Sequence, residues 1–267
     1  MSNLYAQTEK AKWKRFPPNR QREFPFVHEP GYYRKAKPFI EKEILEENWD
    51  VNFNLYHVTT NLSGVIASER LKSRNELKGT VGLGGGSDNE APFSISTTYD
   101  IGRAKKIYDD MKFVCSIVRG QVPAHIVYDS IVSDSFGLDE SDKLKNVLRN
   151  NLPRDIFRKI WNGELPEEEM DKHITEGEAL YNFMQDLEGA ATDNDMEMAE
   201  NANDVRSSVL SVTGFTASYE NMLKINSNEI AILQLVAKKD AKPEHVIGEM
   251  ELRFRPEDIK VVRVLQP

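Results

Sequence analysis

Residues 53–60 read FNLYHVTT. Aromatic and β-branched side chains dominate this stretch. Such residues fit the pleated, half-buried surface of a sheet, so the segment predicts a strand that carries a histidine, His57. The sequence then changes period. In NLSGVIASERLKSR (61–74), Leu62, Val65, Ile66 and Leu71 fall on one face at helical spacing. FSISTT (93–98) returns to period two, with Phe93, Ile95 and Thr97 on one side and Ser94, Ser96 and Thr98 on the other. DIGRAKKIYDDM (100–111) predicts a helix through Ile101, Ala104, Ile107, Tyr108 and Met111. The apolar runs FVCSIVRG (113–120) and AHIVYD (124–129) predict two more strands.

Farther out the character shifts twice. Residues 134–208 are acidic and helical in period, and predict three or more helices with a loose acidic loop near 189–200. The strand signal returns in NEIAILQLVA (228–237), HVIGEMELRF (245–254) and DIKVVRVL (258–265). At the other end, residues 1–38 hold too many prolines for regular structure and read as an arm, and FIEKEILEENW (39–49) reads as a short amphipathic helix. Strands at both ends of the body with helices between them predict an α+β fold with a helical insertion. The expected organisation is an arm with a short helix over 1–50 and a body over 51–267, interrupted at about 134–208.

Composition narrows the function classes. The chain has 267 residues, 39% hydrophobic and 29% charged, which suits one large globular domain with an elaboration. No run of about 18 apolar residues is present, so a spanning helix is excluded. The basic N-terminus has no apolar segment after it and does not read as a secretory signal. Cys115 is the single cysteine. That rules out an internal disulfide and a Cys-rich zinc site, and fits a reducing, cytoplasmic compartment. The net charge of −8 is unevenly spread, with nine Lys and Arg between Lys10 and Lys37 interleaved with Trp13, Phe16, Phe24, Phe26, Tyr32 and Tyr33, against a strongly acidic middle. A basic, aromatic arm suits an anionic partner such as nucleic acid.

Five of the 15 glycines lie in GTVGLGGGS (79–87). A Walker loop would end in Gly-Lys-Ser/Thr and open a helix, and a dinucleotide fingerprint would follow a strand and precede a helix. Here the glycines precede a strand, so neither cradle fits. Instead, the neighbours carry the signal: His57 on the first strand, Ser96 in ISTT, and Glu229 where NEIAIL opens an apolar strand.

In that order and spacing the trio resembles the ADP-ribosyltransferase superfamily, in its diphtheria-toxin and poly-ADP-ribose polymerase branch. LYHVTT is similar to the branch's His-Gly-Ser strand, ISTTYD to its Ser-Thr-Ser motif, and NEIAIL to its Asn-Glu opening, while RPEDIKVVRV looks like the closing strand. The likeness covers about 53–112 and 213–265. It departs from the family in mixing branches, and Ser227 stands two positions before Glu229 where arginine-directed members usually have Glu. The resemblance implies a split antiparallel β-sheet core and NAD as substrate, with no metal.

The family's chemistry gives each residue a role. Breaking the nicotinamide–ribose bond develops positive charge on the ribose, which a fixed carboxylate stabilises; Glu229 is that carboxylate. His57 would bond the adenosine-side ribose, the Val58 main chain would hold the nicotinamide amide, and Thr59 would support the same site. Ser96, with Thr98 on the same strand face, would position Glu229 and the ribose. Tyr99 or Tyr108 would stack on nicotinamide, Arg70, Lys72 or Arg74 would meet the pyrophosphate, and the glycine loop would border the site. The segment 213–227 lies where the family's acceptor loop lies and offers Phe215 and Tyr219 for stacking on a base. The expectation is transfer of ADP-ribose to nucleic acid, RNA or single-stranded DNA, in a toxin or phage-defence role, with the acidic insertion docking an antitoxin protein. A protein acceptor and a non-catalytic binding module are the two other readings. No membrane partner is expected.

Overall fold

A computed structural model describes residues 48–73, 76–77, 93–132, 142–198, 219–247 and 251–265. The described chain is α+β and falls into two compact units. Of the described residues, one comprises those from 48 to 109 together with 226–265, and the other comprises those from 110 to 225.

The first unit is built on one six-stranded sheet of order β4–β5–β2–β1–β3–β6. Its strands are β1 (Trp49–Thr59), β2 (Ile95–Thr98), β3 (Ala231–Lys238), β4 (His245–Ile247), β5 (Glu251–Phe254) and β6 (Ile259–Leu265). Every pairing is antiparallel. Side chains alternate across a sheet, and directly paired residues share a face. The register Tyr56↔Thr98, His57↔Leu233 and Ile95↔Phe254 therefore sorts the residues cleanly. Leu55, Ile95, Leu233, Leu235, Leu252 and Phe254 form the main core, joined by Leu62 of helix α1 (Leu62–Ser68). On the other face Tyr56, Ile232 and Leu265 pack with Ala104 of helix α2 (Ile101–Ile117), flanked by Val58, Ile101 and Tyr108. Burying each Leu, Ile or Phe is worth about 1.5–3 kcal/mol, which pins this register: a slip by one residue would turn each face inside out.

The second unit is helical. It holds the end of α2, α3 (Ala124–Val132), α4 (Asp142–Asn151), α5 (Arg154–Trp161), a 3-10 turn at Glu167–Lys172, α6 (Gly177–Met198) and α7 (Tyr219–Leu223). Leu144, Leu148, Met170, Leu180, Phe183 and Leu187 are fully buried within it. The start of α6 lies against the end of α2: a Cβ on Gly177 would stand 2.3 Å from the Val118 carbonyl oxygen, so only glycine fits.

The strands predicted at 113–120 and 124–129 are helical instead, through the end of α2 and through α3. Their buried residues Val114, Cys115 and Val118, then Ala124, Val127, Tyr128 and Ile131, recur at helical spacing. The helical unit consequently opens at 110, not near 134. The acidic loop expected at 189–200 is part of α6 as far as Met198. Trp49 already belongs to β1; the rest of the short helix predicted at 39–49, apart from a turn at Asn48, lies outside the described residues, as do the arm and the glycine loop. HVIGEMELRF divides into β4 and β5.

Candidate functional site

The chain turns sharply after β1. The buried Thr59 hydroxyl accepts a hydrogen bond from Asn61 N at 3.1 Å, and Asn61 Oδ1 accepts from Gly64 N at 3.1 Å, capping α1. Ser63 N, another donor at the start of α1, is taken from far along the chain: it donates to Glu229 Oε2 at 2.6 Å. Glu229 ends a 3-10 turn, Ser227–Glu229, that opens where Asn226 Oδ1 accepts from Asn228 N. Two residues later, Ala231 pairs with Thr59. The carboxylate is thus held at the C-terminal end of β1, beside the start of a helix that packs on the main-core face of the sheet. Among the described residues Glu229 has no cationic partner.

His57 lies two residues before Thr59 on that same face. Its Nδ1 is 2.7 Å from the Ser96 carbonyl oxygen. A carbonyl only accepts, so Nδ1 carries the proton and the neutral ring presents Nε2 as an acceptor. Burial pushes the His57 pKa below the ordinary histidine value, partly opposed by the Ser96 carbonyl. The ring is therefore neutral at physiological pH, with a fixed tautomer.

Ser96 joins the two faces. Its carbonyl holds His57, while its side chain points the other way and donates to Glu251 Oε1 at 2.8 Å. Arg253 Nε donates to the same oxygen at 3.1 Å. The register Ser96↔Arg253 and Thr98↔Glu251 places these three side chains on one face of the sheet, opposite His57. The structure brings His57 and Glu229 to one end and one face of the sheet, but it gives the Ser96 hydroxyl to Glu251 and not to Glu229.

The remaining expected site residues have other surroundings. Val58 is half-buried on the second face, opposite Ile232 of β3, and packs with the cluster around Ala104. Thr98 is buried, and its hydroxyl accepts from Asp100 N at 3.1 Å; Asp100 Oδ1 in turn accepts from Gly102 N at 2.7 Å, so this hydroxyl serves the turn into α2. Tyr99 packs on the main core and Tyr108 on the second cluster. Arg70 is ion-paired with Glu76 at 2.6 Å, and Lys72 is exposed. Arg74 and Phe215 lie outside the described residues. Tyr219, in the helical unit, sits with its ring 6.1 Å from that of Tyr181.

Ser63, Glu251 and Arg253 were not legible as site residues. EMELRF does alternate, with Glu249, Glu251 and Arg253 against Met250, Leu252 and Phe254, so a two-sided strand was readable. Which neighbour its polar face would meet depends on register. Among the described residues no group of three or more His, Cys, Asp or Glu could hold a metal ion, and no helix is long and apolar enough to cross a membrane. No family model, curated protein or solved structure matches the chain.

Proposed function

We propose that the chain is an NAD-dependent ADP-ribosyltransferase of the superfamily it resembles, built on a single antiparallel sheet where the resemblance implies a split one, and transferring ADP-ribose to nucleic acid. The observation that carries the reading is the convergence of His57 and Glu229, far apart in sequence, at one end and on one face of an antiparallel sheet. Both present acceptors: Nε2 of a neutral imidazole, and a carboxylate with no cationic partner among the described residues. Ribose hydroxyls are donors that suit such a pair.

In this reading Glu229 stabilises the oxocarbenium-like ribose as the glycosidic bond to nicotinamide breaks. The bonding pair leaves with nicotinamide, which departs as a neutral amide. An acceptor heteroatom then attacks the ribose carbon and gives up its proton to solvent. His57 orients a ribose hydroxyl, and Ser96 contributes through the carbonyl that fixes the imidazole. The Ser63 N–H holds one oxygen of Glu229 and so limits the carboxylate's freedom, which suits electrostatic preorganisation.

The test is incubation of the purified chain with labelled NAD and total cell lysate, beside Glu229→Gln. Glu229-dependent label that is lost to nuclease supports the proposal. Label lost to protease shifts the acceptor to protein. No nicotinamide release and no label from the unmodified chain would overturn the transferase reading.

A further inference from the structure

The middle of the chain is acidic as a whole but not uniformly. Residues 142–161 hold six Lys or Arg against Asp142 and Asp155, a net charge of +4. The chain carries 35 Lys and Arg against 43 Asp and Glu, so the remainder, with 29 against 41, has a net charge of −12. Within the acidic middle of the chain, this pair of helices is therefore a local basic stretch.

These are α4 and α5, joined by Leu152 and Pro153. The Lys145 ammonium lies 5.6 Å from the centroid of the Trp161 ring. Lys145 is seven residues before Leu152 and Trp161 eight after Pro153, so at about 1.5 Å rise per residue that contact requires the helices to fold back as an acute hairpin. Their apolar sides, Leu144, Val147 and Leu148 with Phe157 and Ile160, are buried. Lys145 and Arg149 on α4, and Arg154 and Arg158 on α5, are spaced i,i+4 and are all exposed. The Lys145–Trp161 contact ties the first residue of one row to the tryptophan that follows the other. Among the described residues none of these four cations is in an ion pair. Trp161, half-exposed, closes the stripe and is braced by Phe157, with ring centroids 6.2 Å apart.

We propose that this hairpin binds the sugar-phosphate backbone of single-stranded nucleic acid. The inference deepens the proposed function and rests on its nucleic-acid acceptor. Three of the four cations are arginine, whose planar fork meets phosphate oxygens in pairs. Spacing of i,i+4 sets neighbouring side chains about 5–6 Å apart at Cβ, so that one row meets successive phosphates. A tryptophan edge offers a stacking surface that an acidic peptide would not need, and basic tracks with interleaved aromatics are how sequence-tolerant single-strand binders work.

The test uses the full chain without NAD and a fluorescein-labelled 12-nucleotide poly-uridine RNA, titrated at several salt concentrations. Each phosphate contact contributes about −0.7 to the slope of log K against log salt for single strands. Arg154→Ala/Arg158→Ala is expected to weaken binding at least tenfold and to reduce the slope by about 1.4. Trp161→Leu is expected to lower affinity at unchanged slope. Far-UV circular dichroism and melting show that each variant is folded, and a second pair, Lys145→Ala/Arg149→Ala, repeats the measurement from the other helix. Affinity and slope equal to those of the unmodified chain in both double variants, or no RNA binding by the unmodified chain, overturns the proposal. Polyglutamate competing as well as RNA would overturn it in favour of an acidic protein partner. Nicotinamide release, measured separately, is expected to survive in the arginine variants; its absence in every form of the chain would fail the catalytic reading and leave the binding result standing.

Discussion

On one face of the sheet Glu251 accepts hydrogen bonds from Ser96 and Arg253 through a single oxygen. At the end of the opposite face Glu229 is held by one main-chain N–H, that of Ser63, and has no cation beside it among the described residues. Both are glutamates next to the strands that flank the centre of the sheet. Charge compensation separates them. Glu251 has its negative charge answered inside the fold by Arg253, a partner three-quarters or more buried with it, and so behaves as a clasp between β2 and β5. Glu229 has no such partner among the described residues. A carboxylate fixed in place but not neutralised is what a developing cation needs.

The sharpest way to break this contrast is to neutralise each carboxylate in turn. Glu229→Gln retains an oxygen to accept from Ser63 N, so the fold is expected to persist while NAD turnover drops about 10²–10³-fold, the usual loss for removing one preorganised electrostatic group; nicotinamide release measures it. Glu251→Gln should do the reverse. Losing the charge-assisted bonds to Ser96 and Arg253 is expected to cost about 1–2 kcal/mol of stability, read by urea denaturation, with turnover close to the unmodified chain. If Glu251→Gln proves the dead variant and Glu229→Gln the merely less stable one, the two faces have been assigned the wrong way round.

Ser96→Ala probes the residue that joins the faces. It deletes the hydroxyl bond to Glu251 and leaves the carbonyl that holds His57. A loss of about 0.5–1.5 kcal/mol is expected, with the imidazole tautomer unchanged by ¹⁵N spectroscopy. The smallest effect is in pH dependence. His57 has a folded pKa below its unfolded value near 6.5, because burial disfavours the charged ring. Between the two values the unfolded chain binds more protons. The contribution of His57 is therefore complete above about pH 6.5 and is lost as pH falls through the folded value. Denaturation curves at pH 7.5 and pH 5 should show a larger loss for the unmodified chain than for His57→Gln.

The sequence carried the sheet better than the helices, and the reason lies in particular residues. FSISTT alternates, and from Ile95 onward it forms β2, whereas Phe93 stands exposed before the strand. FVCSIVRG and AHIVYD are short apolar runs rich in β-branched residues, which periodicity alone cannot assign. Their true period emerges only when the run is extended: Ala104, Met111, Val114, Cys115 and Val118 fall on one helical face, as do Ala124, Val127, Tyr128 and Ile131. The candidate site was legible as a set of residue types, but not as a set of contacts. Nothing in ISTT reveals that its serine turns its carbonyl to one face and its hydroxyl to the other, because that follows from register with β1 and β5. Nor does the acidic total of the middle segment reveal the basic hairpin within it.

The order in which the chain leaves the ribosome bears on this site. β1 receives its second neighbour, β3, only from residue 231 onward, and Ser63 its acceptor only at residue 229. The whole of the helical unit is synthesised before either arrives. Because the described residues of that unit all lie between 110 and 225, their contacts can form while synthesis continues, whereas the sheet needs both ends of the chain. The arrival of Glu229 at the end of β1 is consequently a late event in the life of each molecule. A nascent or truncated chain ending before residue 229 would carry the basic hairpin without the carboxylate that Ser63 N holds.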